Sequence, residues 1–241
     1  MIDPTPLWDF DDPAGSEQRF REAVEDATGA DRLVLLTQVA RALGLQDRFA
    51  EGHATLDGLA TDTPEVAVRR ELERGRLFRS AGEPDRARPC FEAAVTGARR
   101  AGPDVLLVDA LHMVALVAAP EEQVPLLEEA LEVSRTSQEP AARRWEASLL
   151  NNLGMTHADA GDWQAALMLF EQALTSRRVT GKAGDVRIAR WMVAWALRNL
   201  GRMEEALAIQ SGLKAELLRA GETDTYVDEE LALLTRMDPP A

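Results

Sequence analysis

The chain has 241 residues, 46% of them apolar and only 5% aromatic, and 27 basic against 41 acidic side chains give a formal charge of −14. That sign excludes a protein that tracks a nucleic-acid phosphate backbone, while the single Cys90 excludes an internal disulfide and fits a reducing compartment such as the cytoplasm. Alanine, leucine, glutamate and arginine dominate and long β-branched alternations are missing, so the chain reads as all-α.

In chain order, residues 1–15 form an acidic, aromatic arm around PLWDFDDP, without the basic and apolar segments of a secretory signal. SEQRFREAVEDA, 16–27, opens on a serine with capping potential and predicts an N-terminal capping helix. A solenoid over 16–237 follows, with helical hairpins at approximately 31–60, 64–101, 104–137, 141–180 and 183–220. In three of them a glycine (Gly82, Gly161, Gly201) precedes by five residues an alanine (Ala87, Ala166, Ala206) that opens an amphipathic helix. The glycine permits the left-handed geometry that ends one helix so that the next begins at once. The 104–137 pair uses Pro120 instead, in a first turn where a missing N–H costs least. Its first helix, VLLVDALHMVALVAA, is broken by Asp109 and His112 and is shorter than the ~20 residues of a membrane span, so no membrane anchor is expected. In the first pair, LGLQDRFAEGHATL fixes the register only to within one residue. TYVDEELALLTRM, 225–237, predicts a C-terminal capping helix before the tail 238–241.

Ala94, Ala130, Ala173 and Leu213 are separated by 36, 43 and 40 residues, an irregular but persistent repeat. Asn152-Leu153-Gly154 followed by His157, Ala166, Phe170 and Ala173 resembles the tetratricopeptide repeat, with His157 where that family usually has tyrosine. Gly75, Phe78, Ala87, Phe91 and Ala94 resemble it again. The LNNLG wording and the repeat of about 40 residues are similar to the longer subtype of kinesin light chains and bacterial cytosolic repeat proteins. The resemblance implies an all-α, right-handed α-solenoid of about five hairpins between capping helices, binding a protein or peptide partner on its concave face. In this reading Gly154 lets the first helix of its pair approach small residues, Ala166 and Ala173, on the second.

Catalytic constellations are missing. His53, His112 and His157 fall in separate repeats with no metal-ligand spacing, Gly181-Lys182 lacks the rest of a phosphate loop, and no GxSxG occurs. The expectation is therefore a protein that is not an enzyme, with no cofactor and no metal.

Function then falls to surface. With Leu150, Leu153, Gly154 and His157 turned toward the partner helix, Ser148, Asn152, Met155 and Asp159 share the opposite stripe. Repeat offsets carry that stripe to Arg69, Glu73 and Arg76 with Arg79 beside it, to Asp109 and His112, and to Ile188, Met192, Trp195 and Asn199 with Trp191 beside them. An asparagine can hold a peptide backbone, which the resemblance implies for Asn152; a bond to the neighbouring repeat or to water is the other reading. The arginines suit an acidic side chain or a C-terminus, or else pair with Glu71, Glu73 and Glu83. Trp191, Met192 and Trp195 suit a partner's apolar residue, or else pack between repeats. In the arm, Trp8, Asp9, Phe10 and Asp11, with Asp12, have the order of the tryptophan-acidic peptides that kinesin light chains bind. The arm is either a self-ligand docked in a groove of its own or a neighbouring copy, or a strap over the first repeat. Self-association into a homo-oligomer, and service as a regulatory subunit of a separate enzyme, stay open beside the binding-module reading.

Overall fold

The computed structural model describes residues 2–59 and 63–237, with only the backbone of Thr180 and Met237. The expected hairpin end at residue 60 and the tail 238–241 lie outside the described residues. Every regular element among the described residues is helical, as the composition requires. The chain divides into two compact units, Met1–Arg143 and Arg144–Ala241.

Unit 1 begins with a 3-10 turn, Thr5–Leu7, and continues through α1 (Pro13–Asp26), α2 (Gly29–Gly44), α3 (Phe49–Asp57), α4 (Pro64–Ser80), α5 (Pro84–Ala101), α6 (Asp104–Ala115), α7 (Pro120–Thr136) and the single turn α8 (Pro140–Arg143). Helices α1 to α7 pack each on the next, and α2 also packs on α4. Unit 2 holds α9 (Glu146–Asp159), α10 (Trp163–Thr180), α11 (Ala183–Asn199), α12 (Met203–Ala220) and α13 (Thr225–Met237), again packed in succession, with α13 also touching α11. Two expected helix starts are corrected. Helix α1 starts not at Ser16 but at Pro13, because Asp12 accepts the Gly15 amide and Pro13 supplies a preformed first-turn φ. The fourth hairpin's first helix starts at Glu146, after the separate turn α8.

Gly82, Gly161 and Gly201 have φ of +78°, +79° and +77°. At each, the next residue's amide (Glu83, Asp162, Arg202) reaches back to the carbonyl of Phe78, His157 or Leu197 at 2.9 Å, closing the helix end with a bond that spans five residues. The first hairpin makes the same turn with Asp47, at φ +59°, and Arg48 donating to Leu43. Aspartate tolerates this conformation better than most residues, which is why the turn carries no glycine signal there.

The close approach inside the hairpins has a different cause from the expected small-on-small contact. A Cβ at Gly154 would lie 2.4 Å from Cε1 of Phe170, and one at Gly75 would lie 2.4 Å from Cε1 of Phe91. Each glycine makes room for a phenylalanine ring that is fully buried. Ala166 and Ala173 flank Phe170 on its helix and are themselves buried.

One repeat after Phe170, and two after Leu127, the corresponding core position is Gln210. It is 0% exposed, and neither of its amide atoms has a hydrogen-bond partner. A buried, unpaired amide costs roughly 1–3 kcal/mol. Gln210→Leu is accordingly expected to raise the unfolding free energy of unit 2 by about that amount, and its denaturant midpoint with it; an unchanged or lowered midpoint would show that the amide is satisfied.

Candidate partner-binding faces

In unit 1 the first helices of successive pairs, α2, α4 and α6, bring charge together. Arg76 donates to Glu73 Oε1 at 2.6 Å and to Asp109 Oδ1 at 2.5 Å, joining α4 to α6. Burial disfavours the Asp109 carboxylate, but Arg76 and then Arg41 outweigh it and hold its carboxyl below the ordinary range. Burial likewise depresses His112, against the opposing pull of Asp109. Arg41 on α2 has no carboxylate at ion-pair distance among the described residues. Its guanidinium lies 5.5 Å and 5.3 Å from the ring centres of Trp8 and Phe10, and burial followed by the Arg76 charge lowers its affinity for its proton. Arg41, Arg76 and Arg79, with Ser80, Leu45 and Met113, line a cavity of about 210 Å³. Three guanidiniums against two carboxylates leave it basic inside an acidic protein. Arg69 is elsewhere, bound to Glu65 of its own helix at 2.9 Å.

The N-terminal arm packs across α1 and α2. Trp8 meets Phe20 edge-on at 4.9 Å, stacks on Phe10 at 4.8 Å and donates from Nε1 to Gln38 Oε1 at 3.0 Å. Ser16 exchanges bonds with the backbone of Asp9, Arg19 donates to the Leu7 carbonyl, and Asp11 donates its amide to the Asp9 carboxylate. None of Asp9, Asp11 and Asp12 forms an ion pair among the described residues. The arm's aromatic rings meet a cation in Arg41.

In unit 2 the first helices are α9 and α11, with α13 beside them. Between α9 and α11, Ser148, Asn151, Asn152, Arg177, Asp185 and Ile188 line a polar slot of about 170 Å³. Arg177 donates to Ser148 Oγ at 3.0 Å and stands 3.5 Å from Asp185. Across Ile188 lies a larger, apolar pocket of about 430 Å³, walled by Trp191, Met192, Leu213, Leu217, Tyr226 and Val227 with Arg187 and Asp224 at its edge. Ile188 and Tyr226 are 62% and 66% exposed, unusual for such side chains. Of the other expected residues, Trp195 is taken up by packing, edge-on to Trp163 at 4.8 Å and stacked on Trp191 at 6.1 Å. Asn199 donates to the Trp195 carbonyl at 2.8 Å, Met155 packs against the core, and Asp159 is exposed at the end of α9.

A profile of the tetratricopeptide repeat matches residues 120–178 and 145–211. Residues 120–211 carry tetratricopeptide repeats. The fold of such repeats is shared with a putative kinesin light chain of Podosopora anserina, at 17% identity and TM-score 0.64 over 82% of this chain and 100% of that one. It is shared with BtubC (BKLC) from P. vanneervenii, at 16% identity and TM-score 0.68 over 93% and 94%. The quorum sensor NprR of B. thuringiensis in its apo form is similar at 14% identity and TM-score 0.64 over 95% and 65%. No curated protein matches the chain.

Sequence reasoning missed Arg41, Asn151, Arg177, Asp185 and Tyr226. Arg41 stands one repeat before Arg76 and would have followed from the repeat offset had the first register been fixed. Tyr226 was hidden by reading α13 only as a cap, when it also supplies a wall beside α11. Among the described residues no helix is long and apolar enough to cross a membrane, and no group of three or more His, Cys, Asp or Glu could hold a metal ion.

Proposed function

We propose that the protein is a non-enzymatic interaction module that holds an extended segment of a protein partner against the tetratricopeptide-repeat faces described above. The observation that carries this is the pairing, on either side of the exposed Ile188, of a polar slot containing Asn152 and Ser148 with an apolar pocket. A slot offering donors and acceptors suits a backbone, and a pocket suits one large side chain, the division of labour that extended-peptide recognition needs. In unit 1 the Arg41, Arg76 and Arg79 cavity suits a carboxylate, with the exposed Arg79 as a cation that no ion pair consumes among the described residues. Because helices rather than loops build these faces, little ordering cost falls on the receptor. Sensing, the role of the quorum sensor NprR among proteins of this fold, is one use of such a surface.

The test is co-purification from native cytosol with wild-type chain, Asn152→Ala, Ile188→Glu and Arg79→Glu, each with helicity checked by circular dichroism. A specific protein retained by the wild type and lost from Ile188→Glu and Asn152→Ala supports the reading; binding indifferent to all three substitutions overturns it. A second reading is self-association, favoured by the exposed Leu218, Tyr226 and Leu233 near the last helices. It predicts a mass that doubles with concentration in sedimentation.

A further inference from the structure

The apolar pocket of unit 2 has features that general peptide capture does not explain. It is walled by α11, α12 and α13, and the two helices α11 and α12 also carry polar atoms that are buried without partners: Trp191 Nε1 and both amide atoms of Gln210. Trp191 lines the pocket, and Gln210 lies one turn before Leu213, which also lines it. Leaving such groups unpaired costs stability, and sequences tolerate that cost chiefly where a site needs it.

The turn before α13 and the helix's first turn are acidic. Glu222 is neutralised by Arg187 at 2.7 Å and Asp228 by Lys214 at 2.6 Å. Asp224, at the pocket's edge, accepts the Tyr226 amide at 2.9 Å and has no ion-pair partner among the described residues. One uncompensated carboxylate beside the pocket, in a chain of net charge −14, favours a cation on the guest next to its apolar residue.

We propose that this pocket receives a large apolar side chain of a partner segment whose adjacent residue is lysine or arginine. The assignment rests on the reading of the unit 2 face as a partner-binding surface and adds what that partner carries. Ile188 lines both cavities, so an extended guest anchored here passes over it and sets its backbone at the Asn152 slot a few residues away.

A phage-displayed library randomised over about seven positions, long enough for pocket and slot together, is panned on the full chain. The expected enrichment is a leucine, isoleucine, methionine or aromatic residue beside lysine or arginine. The enriched sequence, resynthesised with blocked ends, is expected to bind at least about tenfold more weakly to Ile188→Glu and Tyr226→Ala, both changes at exposed positions that leave the fold intact. Asp224→Asn keeps the helix cap while removing the charge, and is expected to abolish the preference for lysine over alanine beside the anchor. An acidic neighbour in the enriched motif, or full affinity for Ile188→Glu and Tyr226→Ala, overturns the proposal. If the enriched peptide is lost from Asn152→Ala or Arg79→Glu but not from those two, the proposal fails while the partner-binding reading stands. A library that yields no ligand overturns both.

Discussion

Phe170→Ala is expected to destabilise unit 2 by about 3–5 kcal/mol, the range for truncating a fully buried phenylalanine. Its ring is 0% exposed, rests over the bare backbone of Gly154 and lies 6.3 Å from the ring of Trp195. Neighbours cannot close the gap: Ala166 and Ala173 on the same helix are too short, and Gly154 has no side chain to extend. The cost is transfer free energy plus an unfilled cavity. In a unit of this size a loss of that order lowers the thermal midpoint by more than about 10 °C. Guanidinium unfolding followed by tryptophan emission reports it, since Trp163, Trp191 and Trp195 all belong to this unit. A loss under about 1 kcal/mol would mean that α9 and α10 close over the site, and that the glycine–phenylalanine contact does not set their distance.

That contact shows what was legible in the sequence and what was not. Gly82, Gly161 and Gly201 mark turns whose backbone geometry only glycine adopts without strain, so a one-dimensional signal maps directly onto a local conformation. Asp47 does the same work in the first hairpin, but aspartate is common on helix surfaces and carries no such signal, so that register was not fixed. The partner of Gly154 was also ambiguous. Ala166, Phe170 and Ala173 all share the face of α10 that turns inward, and which of them meets the glycine depends on how the two helices slide, which periodicity does not encode.

The binding faces divide in the same way. Periodicity put Ser148, Asn152, Ile188 and Met192 on one stripe, and Ser148, Asn152 and Ile188 line the slot while Ile188 and Met192 line the pocket. Arg177, Asp185 and Tyr226 belong to other helices or helix starts and reach these cavities through tertiary packing, which a stripe drawn on single helices omits. Trp195 falls on the same stripe, yet Trp163 from the preceding pair covers it. A stripe specifies direction from the helix axis; it does not specify what a neighbouring helix brings to that side.

Asp109→Ala is expected to cost unit 1 about 3–5 kcal/mol, because it removes one of two carboxylates facing Arg76 and Arg41 and leaves buried positive charge uncompensated. Only Glu73 then faces both guanidiniums, and one of its own oxygens is already buried without a partner. Its pH signature distinguishes this loss from simple loss of packing. The folded-state carboxyl of Asp109 is held below its ordinary value, so the stability it contributes is complete above about pH 4 and is lost as the pH falls through the window beneath. Burial lowers His112 and His53, so the unfolded chain takes up their protons near pH 6.5 while the folded chain resists. Their contribution is complete above that value and declines as the pH drops below it. The wild-type unit is thus expected to weaken in two stages, gently below about pH 6.5 and steeply below about pH 4, whereas Asp109→Ala starts lower and lacks the component of the second stage that Asp109 supplies. Urea unfolding at neutral pH, at about pH 5 and at about pH 3.5 separates the stages. If wild type and variant lose stability in parallel between the last two, the carboxylate does not hold α4 to α6 through charge, and the basic cavity beside it is not set by this pair.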